Sequence, residues 1–242
     1  LFKRNLIFKF KKKISIDNDN IASKSLDYLF HEYGSDKANI FKLNQKKGHG
    51  YSIYYEKKLE QYKDKDLNIL EIGSYSGASA AAFTKFIPNS KIYCFDINIS
   101  NFKYESKNIY VYGLDINNLT KVRTVINKLF SERKIDHFDL IIDDGSHNLS
   151  DILISFKFLF KYVKSKGLYV IEDYKHPNYY SYNRNIDHIL VDEFLENLKN
   201  KKSFTSKIFE CFEQKELINS IEMIETFKGN LKDSDISFIT KG

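Results

Sequence analysis

The sequence predicts an α/β protein: a doubly wound, mostly parallel seven-stranded sheet with helices on both faces and an antiparallel hairpin at one edge. Three observations predict it. Five short apolar runs alternate with helix-like stretches, the spacing of a parallel sheet covered on both sides. Each apolar run ends in glycine or an acid. Two further strand-like runs close the chain with no helix between them.

In chain order, Asn68–Ile72 is the first strand, ended by Gly73, and Ala78–Phe86 reads as the helix after it. Lys91–Ile97 is the second strand and Asn108–Tyr112 the third, followed by a helix over Leu119–Ser131. Phe138–Ile142 is the fourth strand, Ser150–Val163 a strongly apolar helix, and Leu168–Ile171 the fifth strand. After Asp173 the pattern loosens through a Tyr- and Asn-rich loop, residues 174–185. Ile186–Asn200 returns as a helix, and Ile218–Phe227 with Asp235–Thr240 form the closing hairpin. Residues 1–64 read as a basic tail and a lid-like extension of helical segments and loops over the active edge of the sheet. Residues 65–242 read as the main domain.

Composition limits the function classes. Of 242 residues, 42% are hydrophobic and 29% charged, which supports one sizeable core and excludes a disordered chain. No apolar run approaches the ~20 residues needed to span a bilayer. The bias toward Lys, Asn, Ile, Phe and Tyr reads as an AT-rich, bacterial genome. The net charge of +6 is localised: residues 1–13 carry Lys3, Arg4, Lys9, Lys11, Lys12 and Lys13 and no acid, which leaves 32 basic against 32 acidic groups elsewhere. A nucleic-acid binder carries its basic stripe on the folded body, so no nucleic-acid partner is expected. The tail reads as a solvated or loosely docked terminus, with a weak contact to an anionic membrane surface as the second reading. Its apolar stretch is broken by Lys9, unlike a secretory signal. Cys94 and Cys211 lie far apart in no metal-ligand spacing, which fits a reduced, cytoplasmic protein.

Ligands of open parallel sheets bind at the carboxyl ends of the strands. Here those ends are acidic: Glu71, Asp96, Asp115, the pair Asp143 and Asp144, and the pair Glu172 and Asp173. Carboxylates crowded on one rim repel, so something cationic is expected there. The first turn, Glu71-Ile72-Gly73-Ser74-Tyr75-Ser76-Gly77, has the glycines of a close-approach loop but no basic residue for a phosphate. Asp96 ends the second strand, where a carboxylate can take both hydroxyls of a ribose. Together they point to an adenosyl ligand that carries positive charge. Asp115 also reads as a helix cap. Adjacent strand ends lie about 5 Å apart, so Asp144, Glu172 and Asp173 can converge as hard oxygen ligands for a Mg²⁺-like ion. His147, three residues past Asp144, would overhang that ion as a base.

Over roughly residues 65–175 the chain resembles the class I S-adenosylmethionine-dependent methyltransferases, which have a Rossmann-like fold. The resemblance implies that Glu71, Gly73, Ser74 and Gly77 hold the methionine part of S-adenosylmethionine, Asp96 the ribose and Asp115 the adenine. Asp-Asp-Gly-Ser-His followed by Glu-Asp looks like the metal-dependent sugar O-methyltransferases of the macrocin and mycinamicin type. The segments Tyr33-Gly34-Ser35-Asp36-Lys37, His49-Gly50-Tyr51 and Tyr55-Glu56 resemble their N-terminal lid. By that resemblance Asp144, Glu172 and Asp173 are the metal ligands, with Asp144 and His147 catalytic. Lys37 and Asp143 join the cofactor site, and His49, Tyr51 and Tyr174 face substrate or lid. Catechol O-methyltransferases are similar but place lysine where this chain has His147.

The expected reaction is Mg²⁺-dependent methyl transfer from S-adenosylmethionine to a sugar hydroxyl of a small molecule or glycan. The acceptor is a surface polysaccharide, a nucleotide sugar or a glycosylated metabolite. Relatives of this type form homo-oligomers, and the protein is expected in the cytoplasm, with peripheral contact at the inner membrane face as an option. Two other classes compete: an oxidative enzyme like the cephalosporin hydroxylases on the same fold, and a non-catalytic scaffold that binds S-adenosylmethionine or a glycan.

Overall fold

A computed structural model describes residues 1–19 and 24–242. The backbone divides into two compact units, residues 1–116 with 229–232, and residues 117–228 with 233–242. Three strands of the seven-stranded main sheet come from the first and four from the second. The α/β class, the sheet and the edge hairpin are as the sequence predicts.

The first unit opens with helix α1 (Phe2–Phe10) and strand β1 (Ile14–Ser15), followed by α2 (Leu26–Tyr33), the small hairpin β2 (Ile40–Phe41) and β3 (Lys46–Lys47), and α3 (Ser52–Leu59). Ser25 caps α2 through its hydroxyl, which accepts from Tyr28 N. Then come β4 (Asn68–Ile72), α4 (Ala78–Phe86), β5 (Lys91–Asp96), β6 (Tyr104–Glu105) and β7 (Ile109–Gly113). β4, β5 and β7 pair in parallel, and β1 pairs in parallel with β6. The core between α2, α3 and α4 is aromatic: Phe30 and Tyr55 both meet the Phe83 ring edge-on at 5.3 Å between centroids. Burying such rings, with their edge-to-face geometry, dominates the stability of a small unit.

The second unit holds α5 (Leu119–Arg133), β8 (Phe138–Asp143), α6 (Leu149–Leu159), β9 (Val163–Glu172), α7 (Asn183–Ile186), α8 (Val191–Lys199), α9 (Cys211–Ser220), β10 (Ile221–Lys228) and β11 (Asp235–Lys241). β8 and β9 are parallel, while β11 runs antiparallel to both β9 and β10. Fully buried Phe156 on α6 sits at the centre, stacked on Phe160 and edge-on to Tyr169 and Phe194, all within 5.3 Å.

Several boundaries differ from the sequence reading, among them the helix read over Ser150–Val163, which spans Leu149–Leu159, and three have a clear local reason. The helix expected over Ile186–Asn200 is interrupted because buried Asp187 accepts from the backbone of Ile189, Lys207 and Ile208. Those bonds draw the chain out of helical geometry until Glu193 accepts from Leu190 N and starts α8. β10 starts at Ile221 rather than Ile218, because α9 fills residues 211–220. That helix buries only Gln214, so it leaves no periodic apolar signal, and it is fixed instead by the Lys157–Glu213 ion pair at 2.7 Å. β9 starts at Val163, where it pairs with Phe138 across a register shift; Lys164–Lys166 are exposed and carry no apolar signature.

Replacing Phe156 with alanine removes the ring on which three others converge. A loss of about 3–5 kcal/mol is expected for Phe156→Ala, read as an earlier urea midpoint by near-ultraviolet circular dichroism.

Candidate active site

In the first unit the acid-bearing loops are built by left-handed turns. Gly73 (φ +83°) and Gly77 (φ +78°) flank Tyr75, itself at φ +41°. A Cβ on Gly77 would stand 2.4 Å from the Phe102 ring, so glycine is required there on two counts. Glu71 is buried at the end of β4, and its Oε1 accepts a short hydrogen bond from the Ser79 hydroxyl. Ser74 is buried in the turn, its hydroxyl donating to Glu71 O. Asp96 closes the same loop against the second strand: Oδ2 accepts from Tyr75 N at 2.8 Å and Oδ1 from Asn98 N at 2.5 Å. A carboxylate has about four lone-pair positions, so two remain for a diol. The helix-cap alternative for Asp115 does not hold, because Asn118 caps α5 by accepting from Lys121 N. Asp115 instead follows Leu114, whose N–H donates to Asp96 O.

Lys37 is buried, with its carbonyl accepting from Tyr51 N and Ser52 N. Tyr51 is fully buried at the start of α3, and the His49 ring tilts against it at 5.2 Å. His49 Nε2 lies 3.9 Å from Asp36 Oδ2. These three residues form one packed corner.

In the second unit the strand ends bring together Asp144, His147 and Asp173, each offering a ligand atom within 4.8 Å of the others. His147 Nε2 stands 3.7 Å from Asp144 Oδ1, and both side chains are about one-quarter exposed, at 26% and 22%. Two of the three occupy the left-handed region, His147 at φ +55° and Asp173 at φ +50°. For residues other than glycine that conformation costs about 1–3 kcal/mol each and concentrates at functional sites. The Asp173 turn is held by its N–H, which donates to Asp235 O at 2.7 Å. Glu172 is buried as the last residue of β9, in register with Ile236, and is not one of the three clustered residues.

Buried Asp143 is pushed up to about 7, first by desolvation and further by the neighbouring Asp144; the Gly145 N–H and the Tyr169 hydroxyl oppose the shift. Tyr174 is buried, and its phenol is raised to about 12 by burial and by Asp235 and Asp192. Sequence reasoning missed His176. Its ring centroid lies 5.9 Å from that of His147, and its N–H donates to Asp173 O. The available signal was a histidine three residues past Asp173 in the tyrosine-rich loop.

A sheet of this kind, with acids closing its strand ends and a glycine turn after the first, is the α/β arrangement also seen in a solved methyltransferase structure. Residues 70–174 match the family model of a methyltransferase domain. Among particular proteins, the chain is 30% identical over 132 residues to mycinamicin VI 2''-O-methyltransferase of Micromonospora griseorubida, 52% of this chain and 31% of that one. It is also 30% identical over 135 residues to demethylmacrocin O-methyltransferase of Streptomyces fradiae, 52% of this chain and 32% of that one. The chain thus spans about a third of the length of these curated relatives. Its fold matches the MycE methyltransferase, solved in complex with Mg, SAH and mycinamycin VI, at a TM-score of 0.66 and 22% identity over 90% of this chain and 55% of that one. No helix among the described residues is long and apolar enough to cross a membrane.

The raised Asp143 carboxyl fixes a pH dependence. The folded state binds its proton up to about pH 7, while the unfolded state releases it near 4. Stability is therefore greatest below about 4 on this account and falls as pH rises toward 7. In chelator-treated protein, Asp143→Asn should flatten the change in Tm across that window, as differential scanning calorimetry would show.

Proposed function

We propose that this chain is an S-adenosylmethionine- and Mg²⁺-dependent O-methyltransferase acting on a sugar hydroxyl. The observation that carries the reading is the convergence of Asp144, His147 and Asp173 in a chain whose other strand ends carry a phosphate-free glycine turn and a ribose-type acid. The donor set fits the ion: two carboxylates are hard oxygen ligands and leave positions open for water and substrate. The turn fits the adenosyl donor because no basic residue stands where a phosphate would sit and Asp96 keeps accepting capacity. The names of the relatives, all O-methyltransferases and several of them sugar-directed, favour the same chemistry.

In this reading Glu71, Gly73, Ser74 and Gly77 hold the methionine part, Asp96 the ribose hydroxyls and Asp115 the adenine, with Lys37 and Asp143 as further cofactor-binding residues. Asp144 and Asp173 would hold Mg²⁺, with Glu172 preceding Asp173 as the last residue of β9. Bound there, the ion lowers the pKa of an acceptor hydroxyl and orients it. His147 takes the hydroxyl proton as the oxygen attacks the sulfonium methyl, the new C–O bond forming as C–S breaks. Tyr174, His49 and Tyr51 border the acceptor and lid side. Vicinal hydroxyls suit such a site, so the acceptor class is a glycosylated metabolite, a nucleotide sugar or a polysaccharide unit.

Calorimetric titration of S-adenosylhomocysteine and of Mg²⁺ tests this. Asp96→Ala should weaken S-adenosylhomocysteine at least tenfold, and Asp144→Ala should abolish the Mg²⁺ signal while still binding the adenosyl compound. His147→Ala should bind both and lose methyl transfer by ~10²–10⁴-fold. A parent protein that binds no adenosyl compound would end the methyltransferase reading, and a His147→Ala variant with full transfer would remove that residue from the reaction.

A further inference from the structure

Helix α1 buries none of its residues, and its basic composition reads as a solvated tail, yet it is tied to the first unit at several points. Arg4 Nη1 donates to Ile97 O at 3.2 Å. Lys11 Nζ donates to Ser100 O at 2.9 Å and to Asn101 O at 3.1 Å. Phe8 meets the Phe102 ring edge-on at 6.2 Å, and Phe102 in turn packs over Gly77. The chain after the helix continues the attachment, Ile14 pairing with Tyr104.

All of these partners lie in the segment that follows Asp96. A further contact is with the next strand end. A Cβ on Gly113 would stand 2.0 Å from Asn5 Oδ1, so the Asn5 amide sits directly on the end of β7, two residues before Asp115. That amide oxygen is shielded from solvent and meets no hydrogen-bond donor among the described residues. A buried acceptor without a donor is an unfavourable arrangement that an entering donor relieves. The Asn5 residue as a whole is half-buried, at the margin between the exposed helix and the strand end. Plain docking of a terminal helix explains the Arg4 and Lys11 contacts. It does not explain an orphaned acceptor placed at a strand end where ligands of this fold collect.

We propose that α1 is a strap across the adenosine side of the cofactor site, with Arg4 and Lys11 holding the loop after β5 and Asn5 Oδ1 accepting one hydrogen of the adenine 6-amino group, the other being left to Asp115. This rests on the methyltransferase reading above and adds to it a determinant of base specificity. Adenine carries an exocyclic amino donor at position 6, whereas hypoxanthine carries a carbonyl there and would face Asn5 Oδ1 acceptor to acceptor.

The test is calorimetric titration of S-adenosylhomocysteine and S-inosylhomocysteine into the parent protein, Asn5→Ala, Asn5→Asp and the double variant Arg4→Ala/Lys11→Ala. The parent should prefer the adenosyl compound. Asn5→Ala should lower that preference at least fivefold without changing Tm, and Asn5→Asp, which keeps an acceptor, should retain it. The double variant should weaken both compounds together by at least threefold. A preference that moves less than fivefold in Asn5→Ala overturns the role of Asn5, and unchanged affinities in the double variant overturn the strap. Failure of the parent to bind S-adenosylhomocysteine would count against the methyltransferase reading instead.

Discussion

Negative charge at the ends of the strands is the constraint to which the rest of the structure answers. Each acid meets it differently. Glu71 is buried and takes the hydroxyl of Ser79. Asp96 spreads its charge over the backbone N–H groups of Tyr75 and Asn98. Asp143, fully enclosed, holds its proton to about pH 7 because burial penalises the ionised form. Asp144 and Asp173 share a cluster with His147 and keep partial exposure to solvent, an arrangement in which a bound cation would relieve repulsion. Hydrogen bonds and protonation are two remedies for one electrostatic problem, and the proposed cation would be a third, at the residue next to Asp143.

The same strand ends store backbone strain. Gly73 and Gly77 make left-handed turns at no steric cost, but His147 and Asp173 make them at a cost that the surrounding packing must offset. In the second unit the offset comes from rings: Phe156, Phe160 and Phe194 cluster with Tyr169 of β9, and the Tyr169 hydroxyl reaches Asp143. A stable aromatic layer thus carries strained, charged loops that it does not itself need.

Much of this was legible in the sequence because local signals and tertiary roles agreed. Asn68–Ile72 and Ala78–Phe86 have the bounds their apolar patterns indicate, since the helix is buried along its whole length and the strand at every residue but Asn68. The acids showed themselves by position, each directly after an apolar run. What was hidden depends on contacts between distant residues. Helix α9 carries no amphipathic stripe, and the break at Asp187 arises from hydrogen bonds to residues some twenty positions away. His147 could be found from its spacing to Asp144, but its neighbour His176 could not, because only the turn after Asp173 brings the two rings together. The docking of α1 was equally invisible: its anchors are two basic side chains donating to carbonyls about ninety residues on.

The most direct measurement of the central claim is the anomalous difference map of a crystal grown with Mn²⁺ and S-adenosylhomocysteine. One strong peak bonded to Asp144 and Asp173, with the ribose of the adenosyl compound on Asp96, is the result this account predicts. Metal density away from Asp144 and Asp173, or an adenosyl compound bound elsewhere than on Asp96, would contradict it.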